Sequence, residues 1–582
     1  MKKAALILGV LFALVSSVVF WKLLHSGPMA AAALLPSSTI AVVEIPNIPA
    51  AITHWRQSEL CKLTAEPEIE TFLRCPLDFF YQQSGLFNST MTAPMVLDLF
   101  HKLQPGRFFA ALEISSQEPS WIVGCQFFGT NRSMEEVLNW FVKPLDASLE
   151  TDNDNLLKAE EHHGELITTR TYSSFSLHTA LHGNWCFVSN DLEALQKTLD
   201  LAAGRTLQKE ALLSSLLYQE NRYHLFSEGD LFCYALQKVA FEKIPYVSSL
   251  LMEHPLRNGA QALGASLRFI AEGMEERLFF NGNFSIKDQL SHRGLRFTQP
   301  TTLGFIERLN DWKEIAENLK NNVALPLLCS SFLTSIFHHE LLQLSNLDLL
   351  SLASLLKPEM TFTMNWDPSN SFPTLFLTAP EADPEKTANF LAQAAAPLGA
   401  SLQTLDQGNL VTISIPPITP TIQPTFASGH GLFLVSTDPL AIKQMSSSTA
   451  TVPTLETTPD FAKNENLYHE ANEAFFYFVS HEIFERAYSL VRPSLLVGSI
   501  FFPQTKAIID FSKLPSATTI AKHLTPVVIA QSCNQEGALI QSRGPLSATP
   551  LFLIGKMLSQ SFFTKQEASY LFKTDKKMEN QH

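Results

Sequence analysis

One strand–helix motif occurs twice in this chain, and the repetition constrains the fold more than any other feature of the sequence. Trp185–Leu195 reads WCFVSNDLEAL, and Leu432–Ile442 reads LFLVSTDPLAI. Each segment has a short apolar run, typical of a buried strand, followed by an aspartate that favours the start of a helix. The repetition predicts two similar units in which Asp191 and Asp438 are helix N-caps.

Further matches keep the same order along the chain. Leu231–Ala235 is matched by Ala474–Phe478, and Phe241–Lys243 is matched by Phe484–Arg486. The spacing between matched residues shrinks only slightly toward the carboxyl end, as small deletions would produce. A duplication explains both the order and the spacing. The alternative is that any two strand–helix units in such a protein look alike.

The predicted fold class is α+β, with two related modules of mainly antiparallel sheet and flanking helices after an N-terminal transmembrane helix. We divide the chain into a transmembrane anchor or signal segment (1–24), an N-terminal strand–helix region (35–106), a first module (107–250), a connecting region with helices (251–357), a second module (358–500), a C-terminal region (501–572) and a polar tail (573–582).

The amino terminus carries a long apolar segment. Ala4–Trp21 is interrupted only by two serines and approaches the length of about 17–25 residues that a membrane-spanning helix needs. Lys2 and Lys3 precede it and predict a cytoplasmic amino terminus. The chain is therefore expected in the bacterial inner membrane as a single-pass protein, with its bulk in the periplasm. The alternative is cleavage near Met29–Ala33, which would give a secreted protein.

Composition limits the classes of function. Charged residues make up 17% of the chain, and there are 43 phenylalanines, which favours large buried sheets over disorder. Part of this apolar surface would instead form a groove or partner face if the protein bound a ligand. The net charge of −14, without a cluster of lysines and arginines, argues against a nucleic-acid partner.

The seven cysteines show no Cys-x-x-Cys spacing, which disfavours a zinc ribbon or a thioredoxin-type motif. Outside the cytoplasm disulfides are permitted, and Cys61 and Cys75 are close enough in sequence for a local bridge. Cys125, Cys186 and Cys233 lie in apolar, strand-like runs, where a free cysteine most often packs as a small hydrophobic residue.

Neither histidine cluster has the spacing of a metalloprotease. His162 and His163 lie in a polar stretch that favours a solvated loop, and His338–Glu340 interrupts an otherwise apolar helix. A metal site needs three or four convergent ligands, which neither cluster supplies by itself. We also find no nucleophile elbow, phosphate-binding loop or dinucleotide fingerprint. The sequence thus assigns no catalytic, cofactor-binding or metal residues and favours a non-enzymatic protein without a cofactor.

Several short segments of the chain form a further pattern: Leu35–Pro46, Trp55, Glu66–Glu70, Val188–Asp191, Val435–Asp438, Leu514–Pro515, Ile520–Leu524 and Ser542–Pro545. Together they resemble segments of large uncharacterised bacterial envelope proteins that carry a domain of unknown function. The resemblance implies an exported bacterial protein and transfers no catalytic residues.

The expected function is a non-enzymatic scaffold or interaction protein of the bacterial envelope. It would be held to the membrane through the N-terminal helix and would have an envelope protein or a lipid as its partner. The first alternative is a carrier of lipid or another apolar ligand, and the second is a divergent hydrolase, which would need a nucleophile beside a base in a pocket.

Overall fold

The computed structural model describes residues 30–84, 104–114, 119–128, 158–172, 175–236, 260–283, 288–320, 349–396, 398–405, 409–417, 422–447, 453–501, 509–547 and 549. The predicted apolar segment Ala4–Trp21, the match at Phe241–Lys243 and the histidine cluster of His338–Glu340 lie outside these residues. None of the described helices combines the length and the apolar content that crossing a bilayer requires.

The described strands are β1 Thr39–Ile45, β2 Pro105–Ile114, β3 Pro119–Phe127, β4 Lys158–His162, β5 Glu165–Thr171, β6 Ser176–His182, β7 Trp185–Ser189, β8 Leu231–Leu236, β9 Ala260–Ile270, β10 Gly273–Gly282, β11 Thr302–Leu309, β12 Glu359–Asn365, β13 Thr374–Pro380, β14 Ser401–Leu405, β15 Leu410–Ser414, β16 Thr425–Gly429, β17 Leu432–Ser436, β18 Ala474–Phe478, β19 Val527–Cys533 and β20 Gly537–Gly544.

The described α-helices are α1 Ala31–Leu34, α2 Ile48–Gln57, α3 Glu59–Thr64, α4 Pro67–Ser84, α5 Leu192–Ala202, α6 Leu216–His224, α7 Trp312–Lys320, α8 Leu349–Ser354, α9 Pro384–Ala395, α10 Pro439–Ser447, α11 Pro459–Ala462, α12 Glu465–Glu470, α13 Ser480–Phe501 and α14 Ala517–Ala521. The protein is therefore an α+β protein with extensive antiparallel sheet, which confirms the predicted fold class at that level.

Unit 1 comprises Met1–Ala50, Asn88–Tyr223 and Gly229–Leu236. Its strands pair in the order β8–β1–β2–β3–β7–β6–β5–β4, and each neighbouring pair is antiparallel. The strand β1, which the sequence analysis assigned to the N-terminal region 35–106, pairs with β2 and β8 of this unit. The first part of the chain thus contributes a strand to the interior of the sheet.

Unit 2 comprises Ala51–Phe87, His224–Glu228 and Gln237–His582. Its strands pair in the order β9–β10–β20–β19–β18–β11–β12–β13–β17–β16–β15–β14, again antiparallel throughout. The late strand β20 lies between β10 and β19, so the sheet joins segments that are far apart in sequence.

Eight strands of unit 2 have the same order of pairing as the strands of unit 1. The run β18–β11–β12–β13–β17–β16–β15–β14 corresponds strand by strand to β8–β1–β2–β3–β7–β6–β5–β4. The correspondence extends to the residues, since Glu44 of β1 lies opposite Phe232 of β8 and Glu307 of β11 lies opposite Phe475 of β18.

Aromatic and aliphatic side chains hold the elements together within each unit. In unit 1, Phe109, Trp185 and Phe187 form a ring cluster on the sheet, with Trp185 and Phe187 stacked at 5.8 Å. In unit 2, Phe461 of α11 packs at 6.0 Å from Phe475 of β18, which fixes α11 against the sheet. The phenylalanines of these clusters are core residues, as composition favoured.

Candidate functional site

A fully buried carboxyl group, Glu307 of β11, is the centre of the candidate site in unit 2. The backbone N–H of Gly294 donates to its Oε1 over 2.9 Å, and the hydroxyl of Tyr468 in α12 donates to its Oε2 over 2.8 Å. Each oxygen therefore has a donor from the chain itself, which offsets part of the cost of taking the carboxyl out of water.

A second carboxyl group, that of Glu359 in β12, lies next to the first. The register pairs Glu307 with Thr361 and Leu309 with Glu359, so both glutamates lie on one face of the sheet in diagonal positions. Burial raises the pKa of Glu307 to about 7, and the neighbouring Glu359 adds to the rise. Glu307 therefore holds its proton in mildly acidic solution.

Polar groups from the preceding loop complete the cluster. Ser291 donates to Oε1 of Glu359 from its backbone N–H over 3.3 Å and from its hydroxyl over 2.7 Å. The imidazole Nδ1 of His292 lies 4.0 Å from Oε2 of Glu307. Burial, together with the nearby His469, lowers the pKa of His292, so this ring is neutral at pH 7.

In unit 1 a buried glutamate, Glu44, takes the position that Glu307 has in unit 2, but its neighbour is an arginine instead of a second glutamate. Glu44 of β1 accepts a hydrogen bond from the backbone N–H of Ala31 over 3.2 Å. Ala31 lies thirteen residues before Glu44, and Gly294 likewise lies thirteen residues before Glu307. Arg107 takes the register position that Glu359 has in unit 2, with its Nη1 3.8 Å from Oε1 of Glu44. Burial raises the pKa of Glu44, while the Arg107 guanidinium acts in the opposite direction.

The chemistry of these two sites is internal to the protein. A carboxyl with a pKa near 7 is suited to proton transfer, but Glu307 is fully buried and its oxygens already have partners within unit 2. We therefore describe both sites as buried anchors that connect a strand to the segment before it. Neither glutamate was predicted from the sequence as part of a site. The available signal was a lone glutamate within an apolar strand, as in the β1 sequence TIAVVEI.

The histidine pair predicted in a solvated loop lies instead at a hairpin of unit 1. His162 ends the strand β4, and His163 and Gly164 form the two-residue turn with φ of +52° and +91°. The Nε2 of His162 lies 3.1 Å from Oδ1 of Asp200, and one ligand atom from each of His162, His163 and Asp200 falls within 4.8 Å of the others. Arg205 donates to the same Oδ1 over 2.8 Å, so a cation of the chain already neutralises this carboxylate.

A cleft of about 460 Å³ lies in unit 2 between α4, α13 and the segment before α14. Glu68, Arg492, Lys513 and Ser516 contribute to its lining together with apolar side chains, and the cleft is open to solvent. The Ser516 hydroxyl accepts a hydrogen bond from the backbone N–H of Thr519 over 3.1 Å. The backbone N–H of Ser516 donates to Glu68 over 2.7 Å. The serine in this cleft is thus a helix cap.

The matched aspartates are helix caps, as predicted. Asp191 Oδ1 accepts from the backbone N–H of Glu193 over 2.8 Å and of Ala194 over 3.2 Å, and Asp438 Oδ1 accepts from Leu440 over 2.9 Å. The cysteines within the described residues are free thiols, including Cys61 and Cys75, for which the sequence had suggested a local bridge.

Comparison with known proteins adds little to this geometry. No protein-family model matches the chain, and no curated protein matches it. Two solved structures, crystal forms I and III of the protein TP0453, align at TM-scores of 0.24 with 11% and 10% sequence identity. These alignments cover 45% and 44% of this chain and 82% and 81% of the other chain, and likeness at this level establishes no shared fold or function.

Proposed function

We propose that this chain is a non-enzymatic interaction protein of the bacterial envelope, built by duplication of an eight-stranded unit. It is held in the inner membrane by Ala4–Trp21, with the remainder in the periplasm. The common order of pairing in the two units and the common positions of Glu44 and Glu307 support the duplication. The resemblance to uncharacterised envelope proteins and the basic residues before the apolar segment support the location.

The observation that carries the proposal is a difference between the two equivalent edge strands. In unit 1 the edge strand β4 reads KAEEH, and such charges at an edge oppose the addition of another strand. In unit 2 the corresponding strand β14 reads SLQTL and carries no charge. Four of its five residues are exposed, and among the described strands it pairs only with β15.

An uncharged edge of this kind fits an extended segment of a partner protein that adds to the sheet as a further strand. Backbone hydrogen bonds would supply the affinity, and outward side chains would supply the specificity. Leu402, whose surface is 50% exposed, offers an apolar contact to such a partner. We therefore assign partner binding in unit 2 to the edge of β14 that no described strand pairs with.

The two alternative functions have less support. A carrier for lipid needs an enclosed apolar cavity, whereas the cleft at Glu68 and Arg492 is open to solvent and has charged side chains in its lining. A hydrolase needs a nucleophile activated by a base, and the serine of this cleft, Ser516, is occupied as a helix cap.

A photo-crosslinking amino acid in place of Leu402 tests the proposal in intact cells, with Ala159 at the equivalent position of β4 as the matched control. We expect a protein adduct from position 402 that is absent from position 159. The charge substitution Gln403→Lys should abolish the adduct. The proposal is wrong if both positions give the same adducts or if position 402 gives none.

A separate test addresses the location. A phosphatase reporter that is active only outside the cytoplasm should be active when it is fused after His582. An inactive fusion would contradict the predicted orientation.

A further inference from the structure

Two cysteines of unit 1 face each other across neighbouring strands. The register of β3 and β7 places Cys125 directly opposite Cys186. Residues that lie directly opposite in an antiparallel pair project to the same face of the sheet. The two thiols therefore share a side of the sheet, although 60 residues separate them in sequence.

The backbone spacing at this position allows a covalent bond. The N–H of Phe127 donates to the carbonyl oxygen of Asn184 over 2.8 Å, which makes those two residues a hydrogen-bonded pair. Hydrogen-bonded pairs recur every second residue, so Cys125 and Cys186 form one too, with a Cα–Cα distance of roughly 5.5 Å. Disulfides bridge Cα atoms that are about 4.4–6.8 Å apart, so the Cα spacing is within range. The Cβ atoms of a hydrogen-bonded pair are about 5.5 Å apart, so they have to approach by about 1 Å for the S–S bond to close.

The equivalent position in unit 2 has no such pair. Ile122 pairs with Ser189 in unit 1, and Phe376 pairs with Ser436 at the corresponding point of unit 2. Three residues further along these strands, the place of Cys125 and Cys186 is taken in unit 2 by Ala379 and Phe433, which lie opposite each other on β13 and β17. The same site of the fold is thus filled by ordinary apolar packing in one unit and by two thiols in the other. Packing alone does not require cysteine here.

We propose that Cys125 and Cys186 form a cross-strand disulfide when the protein folds in an oxidising compartment. The two thiols transfer two electrons to an external disulfide, either a small-molecule disulfide such as oxidised glutathione or a protein thiol oxidase. The S–S bond forms between Cys125 and Cys186, and the oxidant is released as two thiols. The exchange passes through a mixed disulfide with one cysteine, which the other cysteine then resolves.

The timing of this reaction follows from the surroundings of the thiols. Cys186 is buried and Cys125 is half-buried beside Phe127, Leu181 and Val188. Burial raises the pKa of each thiol to about 12, and only the thiolate reacts with a disulfide. Folded protein in the thiol form therefore resists oxidation. Whether Cys125 and Cys186 become a disulfide or remain thiols is decided while β3 and β7 assemble.

The test is synthesis of the full chain in a cell-free system, with and without a glutathione redox buffer during synthesis. Remaining thiols are alkylated in denaturant, and the linked peptides are identified by mass spectrometry. We expect a peptide that joins Cys125 to Cys186 only when the oxidant is present during synthesis. Addition of the same buffer to protein already folded in its reduced form should give less than a tenth of this product.

The variant Cys125→Ala, which copies Ala379 of unit 2, supplies the control. It should lose the linked peptide, and the oxidised wild-type chain should unfold at a temperature roughly 5–15 °C above that of the reduced chain. Full alkylation of both cysteines after oxidative synthesis would overturn the proposal, as would their linkage to other cysteines. Because the wild-type chain is read directly, the result does not depend on whether the variant folds.

Discussion

Replacement of Glu307 by glutamine should remove a pH-dependent loss of stability from the protein. The pKa of Glu307 is raised from 4.5 to about 7, so the folded state holds its proton more tightly than the unfolded state does. Its contribution to stability is complete below pH 4.5 and is lost as the pH rises through about 7. A difference of about 2.5 pKa units corresponds to about 3 kcal/mol.

Glutamine has the shape of the protonated carboxyl group and cannot ionise. Its amide oxygen would accept from the N–H of Gly294, and its NH₂ group would donate to Glu359, while the Tyr468 hydroxyl would turn to act as acceptor. At pH 5 we expect Glu307→Gln to have nearly the free energy of unfolding of the wild type. At pH 8 it should be more stable by up to about 3 kcal/mol.

Urea unfolding of both proteins at several pH values measures this difference, and the subtraction cancels the titration of groups that do not contact Glu307. A difference that stays constant from pH 5 to pH 8 would refute the raised pKa of Glu307. Glu44→Gln is the matched control in unit 1. Its stability difference should change less with pH, because Arg107 favours the ionised form of Glu44.

Three further changes test other contacts. Asp191→Ala removes the cap of α5 and should cost about 1 kcal/mol in urea unfolding, whereas Asp191→Asn should cost much less. Gly124→Ala should destabilise unit 1 by about 1–3 kcal/mol, since its Cβ would collide with the ring of Phe109; an unchanged unfolding midpoint would contradict this close approach. His523 bonds Glu59 over 2.7 Å and Glu66 over 3.0 Å, so His523→Ala should speed hydrogen exchange in α3, and unaltered exchange would show that these bonds do not hold that helix.

Local signals in the sequence predicted local structure well. The apolar run before Asp191 and the aspartate itself are sufficient to predict a strand followed by a capped helix, because strand periodicity and capping depend on neighbouring residues. The same reasoning predicted the strands around Val435 and Tyr477. Lys158–His162 was different: its polar sequence favoured a loop, but an edge strand exposed on both faces also accepts polar residues.

Pairing between distant segments could not be predicted in this way. Glu44 and Arg107 are on separate strands, and nothing near either residue indicates that they meet. The same holds for Cys125 and Cys186, which sequence spacing alone had set aside as separate hydrophobic residues. Register decides both contacts, and register depends on which strands are neighbours in the sheet.

The position of β20 has a consequence for how the chain is made. β10 ends at Gly282 and pairs with β9 on one side. Its other side can pair only after β20, which begins at Gly537, has been synthesised. At a synthesis rate of roughly 5–20 residues per second, the ribosome needs about 13–50 s to supply the missing strand. During that interval the β9–β10 hairpin is open to any other extended chain, whereas unit 1 has all its strands once Leu236 has emerged. A premature stop codon ahead of Gly537 would therefore leave the sheet open between β10 and β19, and the damage would reach beyond the residues lost.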